Sequence, residues 1–207
     1  VRKKPHPGLL TGKKKRKMAL ALGLSLHEAE GWLLSQGVLP QRYQRNAKSI
    51  TREEQCRLFQ SRVAVIGCGG LGGYLLEELA RLGIASISAW DYDSFAEHNL
   101  NRQLLSDMDT IGLSKVETAA KRVQAINPAV KFQAFNRPFA AGEGEDLLAG
   151  HQVVVVPWTA FPYARCWPLS VKACPAPGTW FHTRLEGARF LPHFYYRLRS
   201  MRRRRVA

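Results

Sequence analysis

The sequence predicts an α/β fold, a Rossmann-like sheet of mainly parallel strands with flanking helices. Arg62-Val63-Ala64-Val65-Ile66 is a short, β-branched apolar run that stops directly at glycines, the pattern of a buried parallel strand. Leu71, Leu75, Leu76, Leu79 and Leu82 then follow at helical spacing, and Gly83 supplies a stop. Strand and helix go on alternating to Val156, which argues for βαβ units.

Taken in order, Ser25 and Glu28 have capping-box spacing and open a short helix that Gly37 can end. Thr51 and Glu54 repeat the pattern ahead of a helix reaching Gln60. Strands are predicted at 62–66, 85–90, 130–135 and 152–156. Helices are predicted at 70–82 and 112–126, the latter stopped by Asn127-Pro128, with a short one at 144–148. After Val156 the periodicity fades while Pro, Trp and Arg rise. No apolar run approaches the ~20 residues a membrane-spanning helix needs, and no secretory signal is visible.

The formal charge is +15 over 207 residues, and its placement matters more than its size. Residues 1–17 carry eight Lys/Arg and no acid, and residues 157–207 carry ten against Glu186 alone. The stretch between holds 13 basic and 15 acidic residues. The domain is therefore near neutral, and nucleic acid is a partner only through the two basic ends. Composition predicts that residues 1–17 form a basic, disordered leader. Residues 18–60 read as N-terminal helices, 61–156 as a nucleotide-binding half, and 157–207 as a basic tail. Cys56, Cys68, Cys166 and Cys174 form no C-x-x-C pair, which argues against a structural zinc. Scattered cysteines fit a reducing, cytoplasmic setting.

The chemistry starts at Gly67-Cys68-Gly69-Gly70-Leu71-Gly72, a G-x-G-x-x-G motif between a strand and a helix. In such a motif Gly67 makes the turn and Gly69 lets the backbone approach a phosphate. Gly72 permits close packing, and Gly70 opens the helix whose N–H groups and dipole attract anions. Cys68 reads as a small spacer. Asp91, 19 residues beyond Gly72 at the end of the second strand, suits a ribose hydroxyl. Up to this point NAD fits as well as ATP. Arg102 and Lys115, 13 residues apart, favour a triphosphate, because charge must be neutralised at the α-phosphate as pyrophosphate leaves. Asp93 reads as a solvated loop residue.

Together these residues resemble the ThiF/MoeB/HesA family, which includes the ubiquitin-activating enzymes. The likeness extends upstream to Arg42-Tyr43-Gln44-Arg45-Asn46 and downstream to Ile126-Asn127-Pro128, so it covers about residues 42–156. The resemblance implies a 61–156 ATP-binding Rossmann half and an enzyme that uses ATP and Mg²⁺ to adenylate a carboxylate. The expected partner is a ubiquitin-like or sulfur-carrier protein with a Gly-Gly end. In family terms Asp91 holds the ribose, and Asn99, Arg102 and Lys115 contact the phosphates. Arg45 is the arginine finger that reaches across a homodimer. One branch of the family adenylates a threonylcarbamoyl group on tRNA instead. A catalytically incomplete nucleotide-binding remnant is the other alternative.

The resemblance breaks after Val153-Val154-Val155-Val156. The family places an Asp-rich turn there, with the Mg²⁺ aspartate and an Arg five residues on. This chain reads Pro157-Trp158-Thr159-Ala160-Phe161-Pro162-Tyr163, and residues 157–207 contain no Asp. The C-terminal part of the family domain is thus missing or out of frame. Trp is encoded only by TGG and Thr by ACN, so the last base of Trp158 with the first two of Thr159 spells GAC, an Asp codon. The fifth codon after it is Arg if Tyr163 ends in C. Both expected residues return at the family spacing. A divergent C-terminus with a separate function is the alternative.

Overall fold

The computed structural model describes residues 9–140, 147–157 and 179–183. A first layer is built by the N-terminal segment. Strand β1 (Leu9–Leu10) pairs in parallel with β2 (Leu39–Pro40), bracketing helices α1 (Gly12–Ala21) and α2 (Leu26–Ser35). Helix α3 (Arg52–Gln60) follows. The capping boxes expected at Ser25 and Thr51 are both formed, with each cap hydroxyl accepting from the N3 amide and each N3 glutamate bonding back. Leu34, Leu39, Tyr43, Phe59, Ala85 and Ala129 bury this layer against the sheet.

The composition of residues 1–17 predicts disorder, and for residues 12–17 the structure overturns that. They form the start of α1, because Thr11 caps the helix and one basic residue is neutralised inside. Lys15 is buried and ion-paired to the equally buried Glu30 of α2. Burial costs a lone ammonium several kcal/mol, so this one position needs its acid partner. Desolvation lowers the Lys15 pKa, and Glu30 partly offsets that effect.

The main sheet contains β3 (Arg62–Ile66), β4 (Ser86–Trp90), β5 (Lys131–Phe135), β6 (Val153–Pro157) and β7 (Thr179–Thr183). Its order is β5-β4-β3-β6-β7 and every pairing is parallel. Helix α4 (Gly70–Leu82) links β3 to β4, and α5 (Lys115–Ile126) links β4 to β5. The period of two divides the core cleanly. Val63, Val65, Ile87 and Ala89 face α4 and α5 with Leu76, Ala80, Val116, Ala119 and Val123. Ala64, Ile66, Trp90, Val154 and Val156 face the other way. There Trp90 stacks on Phe135 at 4.4 Å and meets the edge of Phe139 at 5.3 Å.

Periodicity fades after Val156, yet the backbone of 179–183 runs parallel to β6 at the sheet edge. Parallel pairing is carried by main-chain groups that any sequence possesses, so a side-chain pattern does not announce it. Helix α5 begins at Lys115 rather than Gly112. Ser114 caps it, and Gly112 has φ +82°. The predicted short helix 144–148 and the Pro157–Tyr163 break fall mostly outside the described residues.

Candidate nucleotide site

The strand order reverses direction between β3 and β6, and the loop after β3 lies at this switch point, where open α/β sheets bind ligands. Gly67 has φ +111° and donates its N–H to the Trp90 carbonyl at 2.7 Å. A side chain would strain that turn. Gly69 is the N-cap of α4, and no side chain caps the helix there. In contrast α1, α2, α3 and α5 are each capped by a Ser or Thr hydroxyl. The first-turn amides of α4 therefore remain open to an anion. A Cβ added at Gly70 would meet nothing within 4 Å, so the approach to those amides is clear.

Gly72 is buried in the first turns of α4, and the neighbouring Gly73 is close-packed: a Cβ there would lie 3.2 Å from Leu105 Cγ and 3.4 Å from the Cys68 carbonyl oxygen. The signal for Gly73 was its place at the end of the glycine run. Only the position of Leu105 shows the contact.

Asp91 reaches back across the two strand tips. Its Oδ2 accepts from the Cys68 amide at 2.7 Å, and its Oδ1 accepts from the Asp93 amide at 2.9 Å. The Cys68 thiol is buried behind the loop. Burial, and then the Asp91 charge, push its pKa well up, so it stays a thiol. Asp93 is exposed, as read from sequence, and it also holds Lys115. Lys115 Nζ lies 3.1 Å from Asp93 Oδ2, and the Lys115 amide donates to the Asp93 carbonyl at 3.0 Å. An antiparallel bridge between Ser94 and Ser114 and the Phe95–Leu113 and Gly112–Phe95 bonds stitch these segments together. Lys115 is buried, with its ammonium 6.0 Å from the centre of the Phe95 ring.

Asn99 and Arg102 share the loop after β4 but differ in exposure. Asn99 is buried, and its Oδ1 accepts from the Ala96 amide at 3.0 Å, closing the turn Glu97–Asn99. Arg102 is exposed, with its guanidinium steadied by the His98 carbonyl and Asn101 Oδ1, each at 3.0 Å. Gln103 was not singled out from sequence. It is buried, and its Oε1 has no hydrogen-bond partner among the described residues. It lies 3.5 Å from where a Gly69 Cβ would be. An unpartnered buried amide against the glycine loop fits a polar ligand.

Arg45 is not among this group. It is exposed in the turn between Gln41–Tyr43 and Asn46–Lys48, with no ion pair or side-chain hydrogen bond among the described residues. What the structure does unite is its neighbours with the Ile126-Asn127-Pro128 motif. Arg42 donates to Asn127 Oδ1, and Asn127 Nδ2 donates to the Tyr43 hydroxyl at 2.9 Å. The Tyr43 hydroxyl in turn donates to Glu30 Oε1 at 2.6 Å. Burial and the Glu30 charge raise the Tyr43 pKa, so the hydroxyl remains a donor.

Residues 43–159 match the ThiF family, more than half of the chain. The chain belongs to the ThiF family. It is 36% identical over 110 residues to the SAMP-activating enzyme E1 of Haloferax volcanii, covering 53% of this chain and 41% of that protein. It is 40% identical over 88 residues to the tRNA threonylcarbamoyladenosine dehydratase of Haemophilus influenzae, covering 42% and 34%. Among solved structures it resembles the E. coli tRNA N6-threonylcarbamoyladenosine dehydratase TcdA in complex with ATP. That match has a TM-score of 0.52 and 30% identity, covering 56% of this chain and 48% of that one. The chain thus spans less than half the length of these proteins.

The open α4 amides, the Gly70 approach, the Gln103 amide and the two cations suit a nucleotide phosphate chain. Magnesium is different. Among the described residues no group of three or more His, Cys, Asp or Glu could hold a metal ion on protein ligands alone, whereas Mg²⁺ beside a nucleotide takes one or two carboxylates together with phosphate oxygens. The position of the family's Mg²⁺ aspartate lies outside the described residues. No helix among them is long and apolar enough to cross a membrane.

Proposed function

We propose that this chain carries the nucleotide half of an ATP-dependent adenylyltransferase that activates a carboxylate. The observation that supports this most directly is the uncapped N-terminus of α4, facing open space, with Lys115 and Asp91 anchored beside it. The reaction joins a carboxylate oxygen to the α-phosphorus and breaks the bond to pyrophosphate. The α4 amides bind phosphate oxygens, and Lys115 and Arg102 neutralise charge as it moves toward the leaving group. Asp91 keeps acceptor capacity for a ribose hydroxyl. Asn99 acts by holding the loop that carries Arg102. The acceptor is the C-terminal carboxylate of a ubiquitin-like or sulfur-carrier protein ending in Gly-Gly. Arg45, exposed on a segment anchored by Arg42 and Tyr43, serves the site of the second protomer in a cytoplasmic homodimer.

A second reading, adenylation in tRNA modification, is favoured by the likeness to the two dehydratases. ATP–pyrophosphate exchange separates the readings. Exchange that depends on a Gly-Gly carrier supports the first, and exchange that depends on tRNA supports the second. Removing one such charge-stabilising group costs about 10²–10³-fold in rate, so Arg102→Ala and Lys115→Ala should each abolish detectable exchange. Indifference to both would overturn the phosphate assignment. ATP binding without exchange under either condition identifies a nucleotide-binding remnant.

A further inference from the structure

Helix α1 presents a fixed cationic face that the nucleotide site does not use. At about 100° per residue, Arg16, Leu20, Lys13, Lys17 and Lys14 share one continuous arc. All five are exposed, while Lys15 and Ala19 turn inward. Glu30 neutralises only the buried Lys15. Among the described residues no acid pairs with Lys13, Lys14, Arg16 or Lys17, and α1 contains none. The helix is held at several points: the β1–β2 pairing, the Thr11 cap, and the Lys15–Glu30 pair.

We infer that this face binds the phosphate backbone of a nucleic acid. Four exposed cations held on one helix lose little freedom on meeting regularly spaced phosphates, whereas a disordered lysine run would have to be ordered first. A lipid surface is the poorer match. Interfacial helices bury an apolar stripe, but the inward side of α1 packs on α2, and Leu20 stands alone among the cations.

The test uses the full chain and a fluorescently labelled 20-nucleotide mixed-sequence RNA, with anisotropy measured across a KCl series. Lys13→Gln, Lys14→Gln, Arg16→Gln and Lys17→Gln are combined in one variant. Gln is a good helix former, and all four positions are exposed. An unchanged circular dichroism spectrum and melting temperature verify its fold. A second variant replaces Arg202 to Arg205 with Gln, which separates the tail from α1. The α1 variant should lose at least tenfold in affinity near 100 mM KCl. Its log K against log[KCl] slope should shrink by about 3, the release expected from four single-strand phosphate contacts. Unchanged affinity and slope in the α1 variant would overturn the inference, as would loss confined to the tail variant. Binding to vesicles containing phosphatidylserine with no binding to the RNA would overturn it in favour of a lipid surface.

Discussion

The Asp91 carboxylate accepts a hydrogen bond from the Cys68 amide at 2.7 Å, so the tip of β4 holds the glycine loop at the tip of β3. The residue read from sequence as a ribose ligand is thereby also a structural tie. Asp91→Ala removes an acceptor from the Cys68 and Asp93 amides together. Charge-assisted bonds contribute about 1.5–3 kcal/mol when buried, and less here because the carboxylate is half-exposed. The expected outcome is a lowered melting temperature together with at least tenfold weaker ATP binding by calorimetry. Arg102→Ala, at an exposed position, should weaken binding with no change in melting temperature.

Gly83 ends α4 at φ +91°, and a Cβ there would lie 2.7 Å from Gln55 Nε2 and from the Tyr43 ring. Left-handed backbone and collision act together, so Gly83→Ala should destabilise by about 2–4 kcal/mol. Gly37 has φ +70° with nothing within 4 Å of its Cβ position. Gly37→Ala should therefore cost only the backbone part, about 1 kcal/mol. Denaturant melts of the two variants measure the packing contribution as their difference.

Tyr43 joins Glu30 and Asn127 through one hydroxyl. Tyr43→Phe leaves both buried partners short of a bond, and an unsatisfied buried group costs about 1–3 kcal/mol. Urea unfolding should show a loss in that range. An unchanged midpoint would mean that water replaces the hydroxyl.

Glu77 of α4 receives Arg122 Nε at 2.8 Å from α5 and Arg81 Nε at 3.1 Å. The Arg122 hydrogen bond chiefly, with Arg81 adding to it, holds its carboxyl below the usual glutamate pKa. A carboxyl depressed in the folded state adds stability that is fully present above its unfolded pKa. That stability is lost as pH falls through the folded value. Both arginines are about half-exposed (47–49%), so solvent screening limits the pair to about 1 kcal/mol. Melts from pH 7 down to pH 3 should converge for the parent chain and Glu77→Gln at the acid end and differ at neutral pH.

The family match ends at residue 159, beside the codons where a shifted frame restores an Asp. Resequencing the gene should reveal a single-base discrepancy near the Val156–Trp158 codons. An intact frame, with close relatives sharing the Arg-rich tail, would overturn this. If the discrepancy is present, the corrected chain should show faster pyrophosphate exchange than this one.

Much of the fold was legible because its signals are local. The capping boxes at Ser25 and Thr51, the apolar run 62–66 and the left-handed stop at Gly83 each act within a few residues of where they are read. Those signals determined the βαβ order, and the glycine loop with Asp91, Arg102 and Lys115 marked the nucleotide site proposed above. What one residue touches across the fold was decided only by tertiary structure. Composition made residues 12–17 a disordered block, but Glu30, fifteen residues from Lys15, neutralises a buried cation and turns the run into a docked helix. The pairing of the exposed Asp93 with Lys115 was not evident in the sequence, and Gln103 had no evident role until it came to rest on Gly69. Side-chain periodicity reports which face is buried. Which charge meets which partner depends on segments far apart in the chain, and a linear pattern does not contain that distance.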